Sequence, residues 1–408
     1  MAIIFPFKGL LPPVEKVEAV SAVPYDVVNR EEAAAKAAQN PLSFLRVSRS
    51  EIEMPEDQNP YTADVYEKAL ANFARLKDEA GLAFDDNASL YVYKLIAGDH
   101  EQTGLVCAAA VDDYDNNVIK KHEKTRQQKE DDRTAHTIAI RAHSGPVFLL
   151  YRDQEAIDEV IGQIQQDAPL FDFTAEDGVQ HILWPCTGDP AEKLVALFAT
   201  VESTYVADGH HRAKSASRTR EAMRSENPNH DGSEAYNRFL AVLFPASQLN
   251  ILPYNRTVAD LNGLSRDEFL EKVKANFSIC EAGAEAVAVG DIRMYIDSTW
   301  YQLSFTGTTA SDAVADQLDV SILQANLLGP ILGIDDPRTS NRIDFIGGIH
   351  GTARLEELVN SSKAAVAFSM YPTTVEQLIG ISDNDEIMPP KSTWFEPKLR
   401  DGLVIHCF

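Results

Sequence analysis

The sequence predicts a mixed α/β (α+β) protein with more than one packed unit. The chain has 408 residues, 44% of them hydrophobic, and a single hydrophobic core stops growing well below that length. Short apolar runs typical of strands alternate with longer segments in which apolar residues recur at helical spacing. We expect an N-terminal α/β region (1–85), a central core (86–250) and a C-terminal α/β domain (251–408).

The N-terminal region predicts two helices and two short strands, the first strand at residues 2–7. Asn29 is a suitable N-cap for a helix over residues 30–39. Residues 43–48 alternate like a strand. Residues 61–80 carry apolar side chains at helical spacing, and Gly81 is placed to end that second helix as its C-cap.

The central core contains several apolar segments that predict strands. They lie near residues 90–93 and at 105–111, 147–151, 170–173 and 239–244. A helix is predicted at 191–198 and an exposed, turn-rich loop at 225–232. The core therefore combines strands with helices, as the α/β class requires.

The most informative stretch is the 208–212 turn, Asp-Gly-His-His-Arg. It follows the apolar run 204–207 and precedes a helix-forming run, so it joins a strand to a helix N-terminus. Such an N-terminus presents unpaired N–H groups and the positive end of the helix dipole, and Gly209 permits close approach of a ligand. The guanidinium of Arg212 matches phosphate oxygens. The sequence predicts an anion site, phosphate above all, formed by Asp208, Gly209, His210, His211 and Arg212.

The same turn has simpler interpretations. Asp-Gly is a common turn dipeptide, and adjacent histidines can be solvated at a loop tip. A zinc site is disfavoured, because His210 and His211 are adjacent and point apart and no His-x-x-x-His partner follows.

A second candidate is the charged stretch 120–126, in which Glu123 is a lone carboxylate among cations. Placed at a helix entrance, Glu123 could take a proton from a substrate hydroxyl, although the cations favour its ionised form and lower its basicity. The alternative is a solvated helix with many ion pairs.

A third candidate is the Pro-rich stretch 388–398, which predicts a fixed loop. Its hydroxyls and lysines either reach into a pocket, or the stretch is a surface loop held by the packing of Trp394.

Charge and cysteine content exclude several classes of protein. With 62 acidic and 37 basic residues the net charge is −25, which disfavours a broad electrostatic grip on nucleic acid or anionic lipid. The four cysteines form no Cys-x-x-Cys pair, so we expect reduced thiols. No segment has the length and apolar character of a signal or membrane span. We therefore expect a cytoplasmic protein that binds a small polar or anionic ligand and contacts neither nucleic acid nor membrane.

Six sequence motifs lie at residues 5–9, 24–28, 40–45, 121–125, 208–212 and 389–393. Together these motifs resemble one family over essentially the full chain, the bacterial and archaeal domain-of-unknown-function family numbered one thousand and fifteen. That family is similar in turn to the ParB-like/sulfiredoxin superfamily, and nearest to the nucleotide-dependent free serine kinases. The resemblance implies a ParB/sulfiredoxin-like nucleotide-binding core with α/β flanking regions.

The resemblance to the kinases implies a role for each motif residue. Glu123 would be the catalytic base, and His122 would orient phosphate or substrate. Asp208 would position Mg²⁺ or cap the helix, while the rest of the turn, Gly209, His210, His211 and Arg212, would hold the phosphates. The donor would be ADP or ATP, and the acceptor a small hydroxylated metabolite with free L-serine as the first candidate.

Other members of the superfamily fit less well. Sulfinic acid repair needs a cysteine where His210 and His211 stand, and DNA partition is disfavoured by the negative charge. A non-catalytic nucleotide sensor is the other open hypothesis. The flanking regions have no counterpart in the small kinases and are expected to form either an acceptor pocket or a homo-oligomer interface.

Overall fold

The computed structural model describes residues 1–408 and has the mixed α/β fold that the sequence predicts. By spatial contact the chain forms two units. Unit 1 comprises Met1–Lys121, Thr125–Leu249 and Pro397–Phe408, and unit 2 comprises His122–Lys124 and Asn250–Glu396. The division into three regions at 85 and 250 stays a prediction.

Unit 1 contains nine helices and thirteen strands, numbered in chain order. The helices are α1 (Val17–Val20), α2 (Arg30–Ala37), α3 (Leu45–Ser48), α4 (Ala63–Ala80), α5 (Val111–Asp115), α6 (Gln127–Ile140), α7 (Glu155–Ile164), α8 (Gly188–Phe198) and α9 (His210–Glu226). The strands are β1 (Ile4–Phe5), β2 (Leu10–Leu11), β3 (Ala83–Phe84), β4 (Leu90–Ala97), β5 (His100–Ala110), β6 (Ile119–Lys120), β7 (Ala142–His143), β8 (Val147–Tyr151), β9 (Phe171–Thr174), β10 (Gln180–Cys186), β11 (Thr204–Asp208), β12 (Arg238–Pro245) and β21 (His406–Cys407).

A nine-stranded sheet organises unit 1. Its order is β6-β11-β8-β12-β5-β4-β10-β9, and β1 pairs with β5 outside this path. The pairs β6/β11 and β8/β12 are parallel, while the other pairs are antiparallel. Strands β8 and β12 are buried along their whole length except at Arg238, as expected for the middle of a sheet. The strand that ends at the 208–212 turn, β11, lies between β6 and β8.

Two of the predicted N-terminal features are confirmed by their caps. Helix α2 begins after Asn29, whose side chain accepts the N–H of Glu32 at 2.9 Å while the Glu32 carboxylate accepts the N–H of Asn29 at 2.8 Å. This reciprocal capping box satisfies two N–H groups that the helix itself leaves unpaired. Helix α4 ends at Gly81, which has φ of 75° and donates its N–H to the carbonyl of Lys77.

The predicted strand at 43–48 is wrong, because the segment contains the helical turn α3. Phe44, Leu45 and Val47 are all buried in the core that also contains Phe73 and Leu76 of α4. Apolar contacts on neighbouring as well as alternate positions suit a helical turn packed on another helix. A six-residue alternation is too short to distinguish the two structures.

Unit 2 contains the remaining helices and strands. They are α10 (Arg266–Val273), α11 (Asp319–Leu323), α12 (Gly351–Asn360), α13 (Val375–Asp383), β13 (Asn250–Leu252), β14 (Tyr254–Val258), β15 (Phe277–Glu281), β16 (Ile292–Ile296), β17 (Thr299–Phe305), β18 (Ile343–Gly347), β19 (Val366–Ser369) and β20 (Trp394–Glu396). Six of the strands form one antiparallel sheet in the order β15-β17-β16-β19-β14-β18.

The stretch 388–398 is not wholly a loop, which corrects the sequence prediction for its second half. Strand β20 pairs antiparallel with β13, with Phe395 opposite Ile251. The two form a separate two-stranded sheet, where a flanking proline is tolerated because no interior strand needs its N–H.

None of the helices combines the length and the apolar character that a membrane-spanning segment needs.

Candidate functional site

The 208–212 turn has the strand–turn–helix geometry that its sequence predicts. Strand β11 ends at Asp208, and α9 begins at His210. Between them Gly209 has φ of 96° and ψ of 30°, a left-handed conformation that residues with a Cβ rarely adopt. Because the N-cap is a glycine, no side chain caps the helix. The N–H groups of the first turn therefore point towards any anion bound there.

A bulge in β11 changes the direction of the strand just before the turn. Val206 pairs with Leu149 of β8, but the next paired residue is Asp208, opposite Phe148. One residue of β11 is thus extra relative to its partner, which bends the strand and re-aims the side chain that follows. The bulge sets the direction of the Asp208 carboxylate.

Two cations hold the Asp208 carboxylate. Lys398 donates from Nζ to Oδ2 at 3.0 Å, and Nη2 of Arg212 lies 3.5 Å from Oδ1. Burial alone would raise the pKa of Asp208, but Lys398 and Arg212 outweigh burial and hold its pKa well below the usual range. Asp208 is therefore a carboxylate at neutral pH.

Arg212 lies at the centre of the charged groups of the turn. Its side chain is only 9% exposed, and it donates from Nη1 to the carbonyl of Pro146 while Nη2 lies 3.7 Å from Oδ2 of Asp26. Burial would lower the pKa of Arg212, but Asp26, Asp208 and Asp401 together raise it. Arg212 is a fixed cation at the start of α9.

The two histidines of the turn have different environments. His210 is buried at 6% exposure. His211 is half-buried, and its Nε2 accepts the backbone N–H of Arg126 at 3.1 Å. Burial lowers the pKa of His211, so the ring is neutral, and an accepting Nε2 leaves the proton on Nδ1. His211 can thus donate one hydrogen bond to a ligand from Nδ1.

Ion pairs join α6 to α9 beside the turn. Arg218 of α9 lies 3.3 Å from Glu130 and 2.6 Å from Asp131, and Thr125 donates to Glu130 at 2.5 Å. This ion-paired helix begins at Gln127, after the charged stretch 120–126. The alternative prediction of a helix for that stretch is wrong, because Lys120 ends β6 and residues 121–126 form the loop between β6 and α6.

The predicted catalytic pair lies in that loop. His122 and Glu123 belong by contact to unit 2, where the carbonyl of His122 accepts the N–H of Met388 at 2.8 Å. His122 is buried at 1% exposure and Glu123 is half-buried. Glu123 precedes Arg126, the backbone partner of His211, by three residues. The assignment of catalytic roles to His122 and Glu123 stays a prediction.

Sequence reasoning missed two residues of the site and only touched on a third. Asp26 was part of a motif without a role, and Asp401 was not considered. Lys398 was among the lysines of the Pro-rich stretch that could reach a pocket, and the structure places its Nζ in contact with Asp208. No local pattern could have revealed Asp401, because its partners are far away in the sequence.

The side chains at the turn suit a magnesium ion only if the ion is bound together with a nucleotide. The structure has no group of three or more His, Cys, Asp or Glu side chains that could hold a metal ion. Asp208 offers a carboxylate where β11 meets the helix N-terminus. Mg²⁺ is often bound by one or two carboxylates, with phosphate oxygens and water as its other ligands. Asp208 is thus compatible with Mg²⁺ that arrives with a nucleotide.

The comparison with protein families identifies the chain. The family described as "Protein of unknown function (DUF1015)" matches residues 4–321. The chain belongs to the DUF1015 family. Of the turn and its partners, Lys398 and Asp401 of this DUF1015 protein lie beyond the matched residues. No curated protein matches the chain.

Several solved structures resemble the DUF1015 chain weakly. A mutant free serine kinase in complex with ADP is 11% identical, with a TM-score of 0.35 over 72% of this chain and 87% of that chain. A conserved hypothetical protein from Pyrococcus furiosus is 12% identical, with a TM-score of 0.36 over 73% and 93%. SbnI with a C-terminal truncation, from Staphylococcus aureus, is 11% identical, with a TM-score of 0.38 over 72% and 85%.

Proposed function

We propose that the protein binds the phosphates of ADP or ATP at the 208–212 turn and transfers a phosphoryl group to a small hydroxylated metabolite, with free L-serine as the first candidate acceptor. One observation carries the proposal. The glycine-capped start of α9 meets Arg212 and Lys398, two cations held within 3.5 Å of the same carboxylate. Backbone N–H groups and paired cations at one point suit a polyphosphate.

Phosphoryl transfer depends mainly on charge neutralisation and in-line positioning. Arg212 supplies a planar, permanently charged donor, and His211 supplies a neutral N–H from Nδ1. Lys398 adds a mobile point charge. These groups can hold the phosphate chain, while Gly209 allows it to approach the backbone closely.

Glu123 is the proposed general base, and His122 the residue that orients phosphate or acceptor. The chain itself limits how far Glu123 can lie from the turn, because three residues span about 11 Å at most and Arg126 hydrogen-bonds to His211. A base must reach the acceptor hydroxyl within hydrogen-bond distance in the ternary complex.

Asp208 is the proposed contact of the protein with Mg²⁺, which would neutralise the phosphate oxygens when it is bound. Lys398 now provides the positive charge beside Asp208. Arg212 also lies beside that carboxylate, so the protein keeps Asp208 ionised and ready to bind a cation together with a nucleotide.

Phosphorus NMR of the full chain with Mg²⁺, ADP or ATP, and a panel of hydroxy amino acids tests the proposal. A new phosphate-ester resonance with at least one acceptor is the expected result. Glu123→Gln should lower turnover about 100-fold or more, the usual contribution of a general base, and leave nucleotide affinity within about twofold. Tight nucleotide binding without formation of a phosphate ester from any acceptor would contradict the proposed kinase activity.

The second candidate is a nucleotide sensor without catalysis. It is favoured by the assignment of His122–Lys124 to unit 2, whereas the 208–212 turn belongs to unit 1. For a sensor, Glu123→Gln should leave the biological effect intact, while Arg212→Ala should abolish it. If the protein is a kinase, both variants should lose turnover, and Arg212→Ala should lose nucleotide affinity as well.

A further inference from the structure

A buried polar cavity of about 40 Å³ adjoins Arg212 inside unit 1. We call it the Asp401 cavity. A water molecule needs about 10–15 Å³ of such space, so the cavity has room for solvent. The residues around it that matter here are Tyr25, Arg133, His143, Arg212, Ser215 and Asp401.

Backbone contacts on both sides of Asp401 fix its position. Its N–H donates to the carbonyl of Ala22 at 2.8 Å, and its carbonyl accepts the N–H of Ala22 at 3.0 Å. The next residue, Gly402, donates to the carbonyl of Ser144 at 2.9 Å. Asp401 is 2% exposed, and its carboxylate packs so closely on Gly145 that a Cβ there would collide with Oδ1.

The Asp401 cavity contains several polar atoms that no protein group satisfies. Oδ1 of Asp401, Oγ of Ser215 and Nε2 of His143 are buried without a hydrogen-bond partner. Leaving such atoms unpaired costs about 1–3 kcal/mol each, and native proteins usually retain them for a reason. An unpaired carboxylate oxygen beside a buried cation has the capacity to bind a proton or water.

The charged and titratable groups that face Asp401 come from four parts of unit 1. Burial raises the pKa of Asp401 to about 7, with Arg212 and Arg133 acting to lower it and Asp26 to raise it. The two histidines that line the cavity do not titrate near neutrality, because burial lowers the pKa of His136 to about 4 and that of His143 to about 3. The facing groups are Tyr25 and Asp26 before α2, Arg133 and His136 on α6, His143 on β7, and Arg212 on α9.

We propose that Asp401, which lines the same cavity as Arg212, is a positioning residue that acts on the guanidinium across that cavity while a phosphate binds Arg212 from the side of the turn. This inference rests on phosphate binding at the 208–212 turn. A bound phosphate and an ionised Asp401 compete for one guanidinium, so Asp401 takes up a proton as the nucleotide binds. The proton comes from solvent and neutralises the carboxylate.

Isothermal titration calorimetry of the full chain with ADP, in two buffers of different ionisation enthalpy, measures this proton uptake. If a bound phosphate raises the pKa of Asp401 by about one unit, wild type takes up about 0.4 proton at pH 7 beyond the titration of ADP itself. Between pH 6 and pH 8 the affinity for ADP should then fall about fivefold relative to Asp401→Asn. That variant keeps the shape of the side chain and should show no such uptake.

Asp177→Asn is the control, because it removes a carboxylate that lies beside a different buried arginine, Arg400. It should keep the proton uptake of wild type. If Asp401→Asn does not fold, the wild-type measurement decides alone. Absence of excess uptake while ADP binds overturns the inference only, whereas absence of ADP binding overturns the nucleotide site and the inference together.

Discussion

Nζ of Lys398 lies 3.0 Å from Oδ2 of Asp208, although 190 positions separate the two residues in the chain. The contact links the Pro397–Phe408 segment to the strand end that opens the 208–212 turn. Lys398, the second cation at this turn besides Arg212, therefore comes from a segment that follows all of unit 2 in the sequence. It follows that variants in this short segment should change ligand binding.

Lys398→Met should lower nucleotide affinity about tenfold, equivalent to about 1.4 kcal/mol. The variant keeps the aliphatic stem and removes the charge. A bound phosphate then loses one cationic partner, and the negative charge of Asp208 is less well neutralised. Titration calorimetry with ADP measures the change. Lys363→Met, at an exposed position of unit 2, should bind ADP like wild type. If the two variants bind ADP with equal affinity, Lys398 does not contribute to nucleotide binding.

Gly209→Ala should destabilise the protein by about 1–3 kcal/mol, because a residue with a Cβ is strained at φ of 96°. The new methyl would also lie 3.0 Å from Nε of Arg212 and displace it, so nucleotide affinity should fall as well. Urea unfolding and ADP titration measure the two effects. Gly81→Ala has similar backbone strain with nothing within 4 Å of the added Cβ. It should lose stability and retain full affinity.

Arg212→Lys should weaken nucleotide binding about tenfold or more while the protein stays folded. Lysine keeps the charge that the surrounding carboxylates need but cannot form the bidentate contact of a guanidinium. Arg218→Lys is the control on the same helix, since Arg218 pairs with Glu130 and Asp131. Competition between ADP and a fluorescent nucleotide would rank the variants, and weaker binding by Arg218→Lys would contradict the assignment.

His136 should make the protein less stable as the pH falls from 6.5 towards 4. Burial lowers the pKa of His136 to about 4, and Nε2 donates to the carbonyl of Val47 at 2.9 Å. In the unfolded chain the pKa is about 6.5, so between these values the unfolded state binds the extra proton. The contribution of the neutral His136 ring to stability is fully present well above pH 6.5. At pH 5 the proton that the unfolded state binds lowers the free energy of unfolding by about 2 kcal/mol.

Urea unfolding at pH 7 and pH 5 checks the effect of His136. His136→Gln keeps a donor for Val47 but has no ionisable ring, so its free energy of unfolding should fall by about 2 kcal/mol less than that of wild type over this interval. An identical loss in both proteins would show that His136 is not buried as a neutral ring.

Local signals predicted the strand–turn–helix geometry of the 208–212 turn. The strand, glycine and helix around Gly209 follow each other within a few residues, and each has a strong local preference. The same holds for the caps at Asn29 and Gly81, where a single side chain or a left-handed backbone determines where the helix begins or ends.

Features that depend on distant parts of the chain could not be predicted. The segment at 43–48 became a helical turn because its apolar residues pack on α4, and such packing overrides a short alternating pattern. Lys398 and Asp401 reach the turn through backbone pairing of their own segment with Ala22 and with β7. Nothing in the residues next to them in the sequence encodes those partners.

The insertion of unit 2 before Pro397–Phe408 has a consequence for biosynthesis. Translation proceeds from the N-terminus, and domains generally fold as they emerge from the ribosome. Residues up to Leu249 include all nine strands of the large sheet, but the cavity beside Arg212 lacks Asp401 until the ribosome has also made 250–396. The cavity beside Arg212 therefore stays incomplete while the whole of unit 2 is synthesised. A chain that ends prematurely within unit 2 would lack the Asp401 carboxylate in that cavity.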